Sequence, residues 1–255
     1  MENSTLSKCL STYSPISLDE MESVKLMNRV DTKYVCHESQ LPAILAQAAE
    51  NYRVQEVAGK RVATYDTVYY DTDGLEMYLR HHDQQLTRRK VRIRTYLDTG
   101  AEFLEIKKKN NRGRTKKKRI EVNGDAALND ANGVMEAFVA KHTPYDWNQL
   151  HATERTAFER ITLVNKEKTE RLTMDFNLRF EAMDSHAQAT LGPLVIIELK
   201  RDGLQPSKMQ HILRDLRIFP MKISKYCIGV TMTIPTVKHN RFKEKLIKLH
   251  KYAGI

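Results

Sequence analysis

The feature that most constrains the fold is an alternation of charged and apolar residues that recurs along several segments of the chain. In residues 171–180, every second residue is polar or charged, and each residue between them is Leu, Met or Phe. Residues 90–96, 103–109 and 117–122 follow a similar rule. Because the side chains of a strand point alternately to its two faces, each segment predicts a β-strand with one polar and one apolar face.

The polar faces of these predicted strands are mainly cationic, as in Lys90, Arg92 and Arg94 of one strand. For any single strand, a half-buried sheet with its charged face in water is a sufficient explanation. Taken together, however, the apolar faces are continuous, and the chain has enough amphipathic helices to cover them. With helices outside, the charged faces point inward. Since unpaired buried charge is costly, the interior must be a wet space that receives an anion.

The predicted fold class is α+β, an eight-stranded antiparallel β-barrel with helices packed outside. One domain is expected over residues 1–255, with the barrel core at about 28–234 and a loose segment at 1–15. The predicted strands are 28–36, 64–70, 87–97, 102–109, 115–122, 170–180, 194–200 and 225–234. The predicted helices are 17–27, capped by Ser17 and Glu20, then 40–50, 133–140, 207–217 and a basic helix at 240–252.

Composition narrows the choice of partner. The net charge of +10 indicates a polyanion. A single-stranded nucleic acid would require aromatic side chains among the cations, and the basic faces offer mainly Tyr96, so nucleic acid is disfavoured. No apolar run is long enough for a membrane span. The three cysteines are scattered and odd in number, and no signal peptide is recognised, which favours a reducing, cytoplasmic location.

Nine short motifs in order give a more specific indication. They are RVDTKYV (29–35), TVYYDTDGLEMY (67–78), KVRIRTY (90–96), FLEIKKK (103–109), KKKRIEV (116–122), TERTAFE (153–159), RLTMDFNLR (171–179), IIELK (196–200) and SKYCIG (224–229). In this order they resemble the triphosphate tunnel metalloenzyme superfamily, and specifically its VTC (vacuolar transporter chaperone) polyphosphate polymerase domain.

The resemblance implies a phosphate-binding tunnel, ATP as phosphoryl donor, inorganic polyphosphate as product and Mn²⁺ or Mg²⁺ as cofactor. The implied metal ligand is Glu198. The residues implied to hold the transferring phosphates are Lys33, Arg92, Arg94, Lys107, Lys117, Arg155, Arg171, Lys200 and Lys225. Further lining residues are expected at Lys90, Lys109, Arg119, Arg179, Ser224 and Tyr226.

One departure from the superfamily bears on the reaction. Tunnel hydrolases usually begin with a Glu-x-Glu-x-Lys strand, whereas this chain has Arg29, Asp31 and Lys33. With one carboxylate instead of two, hydrolysis by a metal-bound water is disfavoured. Three functions remain open: an ATP-dependent polyphosphate polymerase, a tri- or nucleoside triphosphatase of the same fold, and a non-catalytic polyphosphate-binding module.

Overall fold

An antiparallel sheet organises the chain, as seen in a computed structural model that describes residues 3–22, 29–122, 133–203 and 205–254. In chain order the strands are β1 (Pro15–Ile16), β2 (Arg29–His37), β3 (Tyr52–Gln55), β4 (Ala63–Asp71), β5 (Arg88–Tyr96), β6 (Ala101–Lys109), β7 (Thr115–Val122), β8 (His151–Asn165), β9 (Glu170–Ala182), β10 (Gln188–Thr190) and β11 (Leu194–Asp202). The helices are α1 (Asn3–Ser11), α2 (Leu18–Glu22), α3 (Leu41–Ala48), α4 (Glu76–His82), α5 (Val134–His142), α6 (Lys208–Asp215), α7 (Lys225–Thr233) and α8 (Lys243–Ala253).

Eight strands form one continuous path in the order β2-β11-β9-β8-β4-β5-β6-β7. All neighbours on this path are antiparallel, whereas the short β1 pairs with β3 in parallel. Lys107 on β6 and Glu198 on β11 are far apart along this path, yet the Lys107 charge helps to lower the pKa of the Glu198 carboxyl. The sheet is therefore strongly curved, and Lys107 and Glu198 lie on its concave face. The α+β class is therefore confirmed. Closure into a barrel is not seen, since no pairing joins β2 to β7 among the described residues.

The convex face of the sheet carries most of the apolar core. One part packs α1, α3 and α6 against β8, β9 and β11, through residues such as Leu45, Leu213 and Leu172. A second part packs α5 against β5 and β6, where Val139 and Leu104 are fully buried. As the alternation predicts, the side chains between these apolar residues face the concave side. The concave side is therefore the polar one along β2, β5, β6 and β11.

Part of the concave face is apolar, and α7 and α8 cover it. Val35 of β2 and Ile196 of β11 lie there beside Ile228 of α7 and Leu249 of α8. Phe242, just before α8, is also buried. The C-terminal basic helix thus packs on the sheet through its apolar side chains. The polar region of the concave face begins next to this covered part, at Lys33.

One predicted strand is wrong, and one strand of the path is missing from the prediction. Residues 225–234 form helix α7 rather than a strand, and the eighth strand is instead β8, which has 15 residues. Because α7 is buried nearly all round, it lacks the polar face that reveals a helix in sequence. Its start is fixed by Ser224, whose hydroxyl accepts a hydrogen bond from the Cys227 N–H at 3.2 Å.

The N-terminal segment also differs from expectation. Residues 1–15 were expected to be loose, but α1 buries Leu6 and Leu10 against α3. The Tyr13 hydroxyl donates to the Leu45 carbonyl at 2.5 Å. The predicted capping of α2 is present, since the Glu20 N–H donates to the Ser17 hydroxyl at 3.2 Å and the Ser17 N–H to the Glu20 carboxylate at 3.0 Å. The rest of the predicted helix, residues 23–27, lies outside the described residues.

Gly229 lets α7 approach the sheet closely. A Cβ at this position would lie 2.4 Å from Oε1 of the buried Glu154 and 2.9 Å from the ring of Phe180. We expect Gly229→Ala to lower the free energy of unfolding by about 1–3 kcal/mol, because overpacking outweighs the better helix propensity of Ala. Chemical denaturation measures the change.

Gly74 provides the matched control for this substitution. A Cβ there would meet no atom within 4 Å. Gly74→Ala should therefore stay within about 0.5 kcal/mol of the wild type. Equal stability of the Gly229→Ala and Gly74→Ala proteins would contradict the packing described for α7.

Candidate functional site

A first ion cluster joins β2 and β11 at the centre of the concave face. Lys33 and Glu198 are register partners, and the Lys33 ammonium lies 3.9 Å from Glu198 Oε1. Lys200, two residues further along β11, binds the other carboxylate oxygen at 3.0 Å. Although burial favours the neutral acid, Lys200, Lys33 and Lys107 hold the pKa of Glu198 well below its usual value. Glu198 is therefore an anion shared between lysines.

A second cluster lies on β5 and β6. Arg92 donates to Glu105 Oε2 through Nε at 2.8 Å and Nη2 at 2.5 Å. Its Nη1 reaches the Tyr69 hydroxyl at 3.1 Å. Lys117 on β7 binds the other oxygen of Glu105 at 2.8 Å. Because Glu105 is fully buried, this double neutralisation is what allows it to remain charged.

A third cluster comes from β8, β9 and the start of α7. Arg160 binds both oxygens of Asp175, at 2.5 and 2.8 Å, and the Lys225 ammonium binds Asp175 Oδ2 as well. The Phe158 ring lies beneath this cluster. Its centre is 5.3 Å from the Arg160 guanidinium and 4.5 Å from the Lys225 nitrogen. Burial lowers the pKa of Lys225 to about 8 even though Asp175 opposes the shift. Each of the three clusters thus contains one carboxylate between two cations.

Other cations on this face have no carboxylate within ion-pair distance among the described residues. Arg94 donates to the Thr67 hydroxyl at 3.2 Å and lies 5.3 Å from the ring centre of Tyr65. Burial, Arg92 and Arg160 lower its pKa to about 10. For Lys107, neighbouring Arg92, burial and Arg94 depress the pKa strongly. These shifts mark positive charge that lacks an anion.

Lys90 is a further cation of this face, and it contacts the residue that caps α7. Its ammonium donates to the Ser224 hydroxyl at 2.6 Å, and burial lowers its pKa to about 8. Arg171 on β9 is the register partner of Lys200 and adds a further cation beside the first cluster. Lys109 lies at the end of β6, two residues beyond Lys107. Arg119 on β7 is exposed and stacks on Phe103, with the guanidinium 4.4 Å from the ring centre.

Two carboxyl groups beside α7 are held towards the neutral form by burial. Burial raises the pKa of Glu154 well above its usual value, and the Thr156 hydroxyl is its hydrogen-bond donor at 2.8 Å. Burial also raises the pKa of Asp71, against the effect of four donors, which are the Tyr226 hydroxyl and the N–H groups of Thr72, Met77 and Tyr78. Hydrogen-bond donors thus hold both carboxyls in fixed positions beside α7.

Tyr226, expected to line the tunnel, lies beneath the site. It is 1% exposed, its hydroxyl donates to Asp71 at 2.5 Å, and its ring stacks on Tyr69 at 4.8 Å. This packing holds α7 against β4, so that Ser224 and Lys225 at the start of the helix face the cations. Tyr226 is therefore placed as a support for its neighbours rather than as a contact for an anion.

Arg155 and Arg179, also expected to line the tunnel, lie on the opposite face of the sheet. Arg155 is exposed and binds Asp66 at 2.5 Å, with Glu181 at 3.6 Å. The expected alternation fails at a bulge in β9, where Asn177 has a positive φ of 51° and the register with β8 shifts. Because a bulge adds one residue to a strand, every later side chain changes face, and Arg179 turns outward.

Arg160 is the residue that sequence reasoning missed. TERTAFE (153–159) ends one residue before it, and Arg155 was the cation chosen from this segment. A signal was present in β8 itself, because Thr156, Phe158 and Arg160 alternate as a second series on the face opposite Arg155. Without the partner strands, the sequence could not tell which series faces inward.

Of the three cluster carboxylates, Glu198 is the one best suited to hold a divalent metal. Among the described residues, no three His, Cys, Asp or Glu side chains come together as a metal-binding group. Glu105 and Asp175 are each engaged by an arginine through two nitrogens. Within the described part of the chain, Glu198 is bound only by lysines, at 3.0 and 3.9 Å, and its side chain is 23% exposed. The donor set fits an ion held by Glu198 and, for the rest, by phosphate oxygens of a substrate.

A comparison with one solved structure supports the fold. The chain shares 12% identity and a TM-score of 0.53 with a Hippeastrum protein described as a putative adenylyl cyclase with a dominant triphosphatase activity, over 80% of this chain and 95% of that one. A putative adenylate cyclase from Vibrio parahaemolyticus aligns at 11% identity and a TM-score of 0.46, over 80% and 99% of the two chains. No curated protein matches the sequence.

The family is shown by the sequence itself. The model of the VTC domain matches residues 28–234, from the start of β2 to the end of α7. That range includes all three ion clusters, together with Arg94, Lys107 and Lys90. The chain therefore belongs to the VTC domain family.

Proposed function

We propose that this chain is an ATP-dependent polyphosphate polymerase, which transfers the γ-phosphoryl group of ATP to a growing polyphosphate chain. The observation that carries the proposal is the charge balance of the concave face. Three carboxylates each lie between two cations, while Arg94, Lys107 and Lys90 have no carboxylate partner among the described residues. Such a surface is complementary to a chain of phosphates.

The proposed reaction requires positioning more than proton transfer. A terminal oxygen of the polyphosphate attacks the γ-phosphorus of ATP and forms a P–O bond. The bond between that phosphorus and the β–γ bridging oxygen breaks, and ADP leaves with the electron pair. Since a terminal phosphate is already ionised at neutral pH, the acceptor needs no general base. Lysine and arginine side chains hold both phosphate chains and neutralise the charge on the transferring group.

A bound Mn²⁺ or Mg²⁺ would supply further neutralisation of the donor phosphates. Glu198 is the protein ligand that we assign to it, with Lys33 and Lys200 beside it to hold the same phosphates. The rings of Tyr65 and Phe158 on this face are at most 5% exposed and lie against guanidinium groups. They are poor platforms for stacked bases, which favours a phosphate chain over a nucleic acid.

A triphosphatase is the second candidate. Its support is the fold shared with the Hippeastrum protein, which is described as having a dominant triphosphatase activity. The product separates the two functions. With ATP and Mn²⁺, we expect ADP and a polymer that stains as polyphosphate on a gel, with a shorter lag when short polyphosphate is added. Release of orthophosphate with no polymer would replace the polymerase by a triphosphatase.

Arg94 is the sharpest position at which to test the anion site. Its guanidinium has no carboxylate partner among the described residues, so its removal leaves no buried anion behind. We expect Arg94→Ala to lower turnover by at least about a hundredfold, by analogy with the loss of a transition-state donor. The unfolding midpoint should change little. Arg92→Ala is less informative, because Glu105 would remain buried with Lys117 alone, at a cost of about 3–5 kcal/mol.

Arg155→Ala is the control for this experiment. It also removes one arginine, but from the convex face, where Arg155 is exposed and binds Asp66 and Glu181. Turnover within about twofold of the wild type is expected, since a surface ion pair contributes little. If Arg155→Ala abolished turnover and Arg94→Ala did not, the assignment of the active site to the concave face would be wrong.

Glu198→Gln tests the metal assignment. The change keeps the shape of the side chain but removes the charge that lies between Lys33 and Lys200. We expect metal-dependent turnover to fall about a hundredfold, because the ion loses its protein ligand. Affinity for tripolyphosphate with a chelator present should hold or rise, because the face becomes more positive. Calorimetry and an ADP-release assay give the two values.

The matched control removes a carboxylate from the other face. Glu181→Gln loses the ion pair with Arg155 and should leave both measurements unchanged. Full metal-dependent activity in Glu198→Gln would exclude Glu198 as the ligand. Loss of anion binding without metal would show instead that Glu198 orders the lysines around it.

A further inference from the structure

A second group of cations lies at the adjoining ends of β5 and β6 and on the segments that pack over the concave face. It consists of Arg88, Lys109, Lys222 and Lys245, here called the basic collar. Among the described residues, none of the four has a carboxylate within ion-pair distance. In the three ion clusters, a carboxylate neutralises part of the cationic charge. In the collar, no carboxylate of the described residues does so.

Backbone pairing fixes two members of the collar. Arg88 at the start of β5 and Lys109 at the end of β6 are register partners, so two like charges lie side by side. The next concave-facing pair along the same strands is Lys90 with Lys107, which belongs to the candidate site. The collar therefore continues the cationic row of the site by one more step towards solvent.

The other two members come from segments that pack over the concave face. Lys222 is exposed and lies between two residues that bind Lys33: the Met221 N–H donates to the Lys33 carbonyl at 2.8 Å, and the Lys33 ammonium donates to the Ile223 carbonyl at 3.1 Å. Lys245 is on α8, which packs on the same face through Leu249. Lys222 is thus tied to Lys33 of the first cluster.

The charges of the collar influence one another. Burial lowers the pKa of Lys109, and Arg88 and Lys222 lower it further. Burial likewise lowers the pKa of Lys245, with Lys222 and Lys33 adding to the shift. Cations that repel one another without a counter-charge are stabilised by a bound polyanion.

We infer that the basic collar binds the segment of a polyphosphate chain that extends beyond the candidate site. This inference rests on the proposed function, since it takes polyphosphate as the ligand of that site. It assigns a binding role to α8, which lies outside the residues matched by the family, 28–234. A short polyphosphate would occupy the clusters alone, whereas a long one would reach the collar as well.

The test compares two ligand lengths. The double variant Lys222→Ala/Lys245→Ala should bind tripolyphosphate within about twofold of the wild type, because the clusters are intact. Its affinity for a polyphosphate of some hundred units should fall about tenfold, and the dependence of that affinity on salt should become shallower, because two counterion-releasing contacts are lost. Calorimetry or anisotropy at several salt concentrations measures both, and thermal unfolding checks that the variant is folded.

Lys248→Ala/Lys251→Ala is the control, since it removes the same charge from exposed positions of α8. It should bind both ligands as the wild type does. Equal losses for short and long ligand in the collar variant, or equal effects of the two double variants, would overturn the inference. So would a collar variant that loses binding to vesicles of anionic lipid while keeping its affinity for long polyphosphate.

These results are independent of the product assay. A protein that releases only orthophosphate from ATP could still bind long chains through the collar. Conversely, a collar without effect on binding would leave polymer synthesis by the candidate site untouched.

Discussion

Everything at the candidate site depends on the way in which three buried or half-buried carboxylates are shared. Glu105, Asp175 and Glu198 each lie between two cations, so none is left as an uncompensated buried anion. Burial of a single ion pair is often no better than an apolar replacement, but the removal of one partner is strongly destabilising. The arrangement therefore fixes the side chains in place while leaving the face positive. An ordinary core could not tolerate that excess of charge; a face that binds phosphates can.

Helix α7 links this charge balance to the fold. Its first turn brings Ser224 to Lys90 and Lys225 to Asp175, while its buried side closes one end of the concave face. Burial raises the pKa of the two carboxyls beneath it, Asp71 and Glu154, and hydroxyl and N–H donors hold them in place. A helix with one polar side would have to bury that side at this position. The absence of helical periodicity in its sequence is thus a consequence of its position.

The sequence predicts the antiparallel α+β class and seven of the eight strands of the path, because a two-sided sheet imposes a clear period of two. The errors have a common cause: they arise where tertiary contacts override the local pattern. Residues 225–234 are buried on all sides, so nothing local distinguishes a helix from a strand. Arg179 faces outward because one extra residue at Asn177 shifts the alternation. Arg155 was preferred to Arg160 because the choice between the two faces of β8 depends on its neighbours, β4 and β9.

Three arginines of the site and two of its lysines have different surroundings, and the difference matches their chemistry. Arg92, Arg94 and Arg160 each combine a hydrogen bond with contact to an aromatic ring, at 5.7, 5.3 and 4.8 Å from a tyrosine centre, which fixes their planar groups. Lys33 and Lys107 have no such ring contact among the described residues. A rigid guanidinium holds phosphate oxygens in one geometry, whereas an ammonium on a flexible stem can follow a moving chain. A polymerase needs both properties: a fixed position for the group being transferred, and a path along which the product can advance by one unit after each transfer.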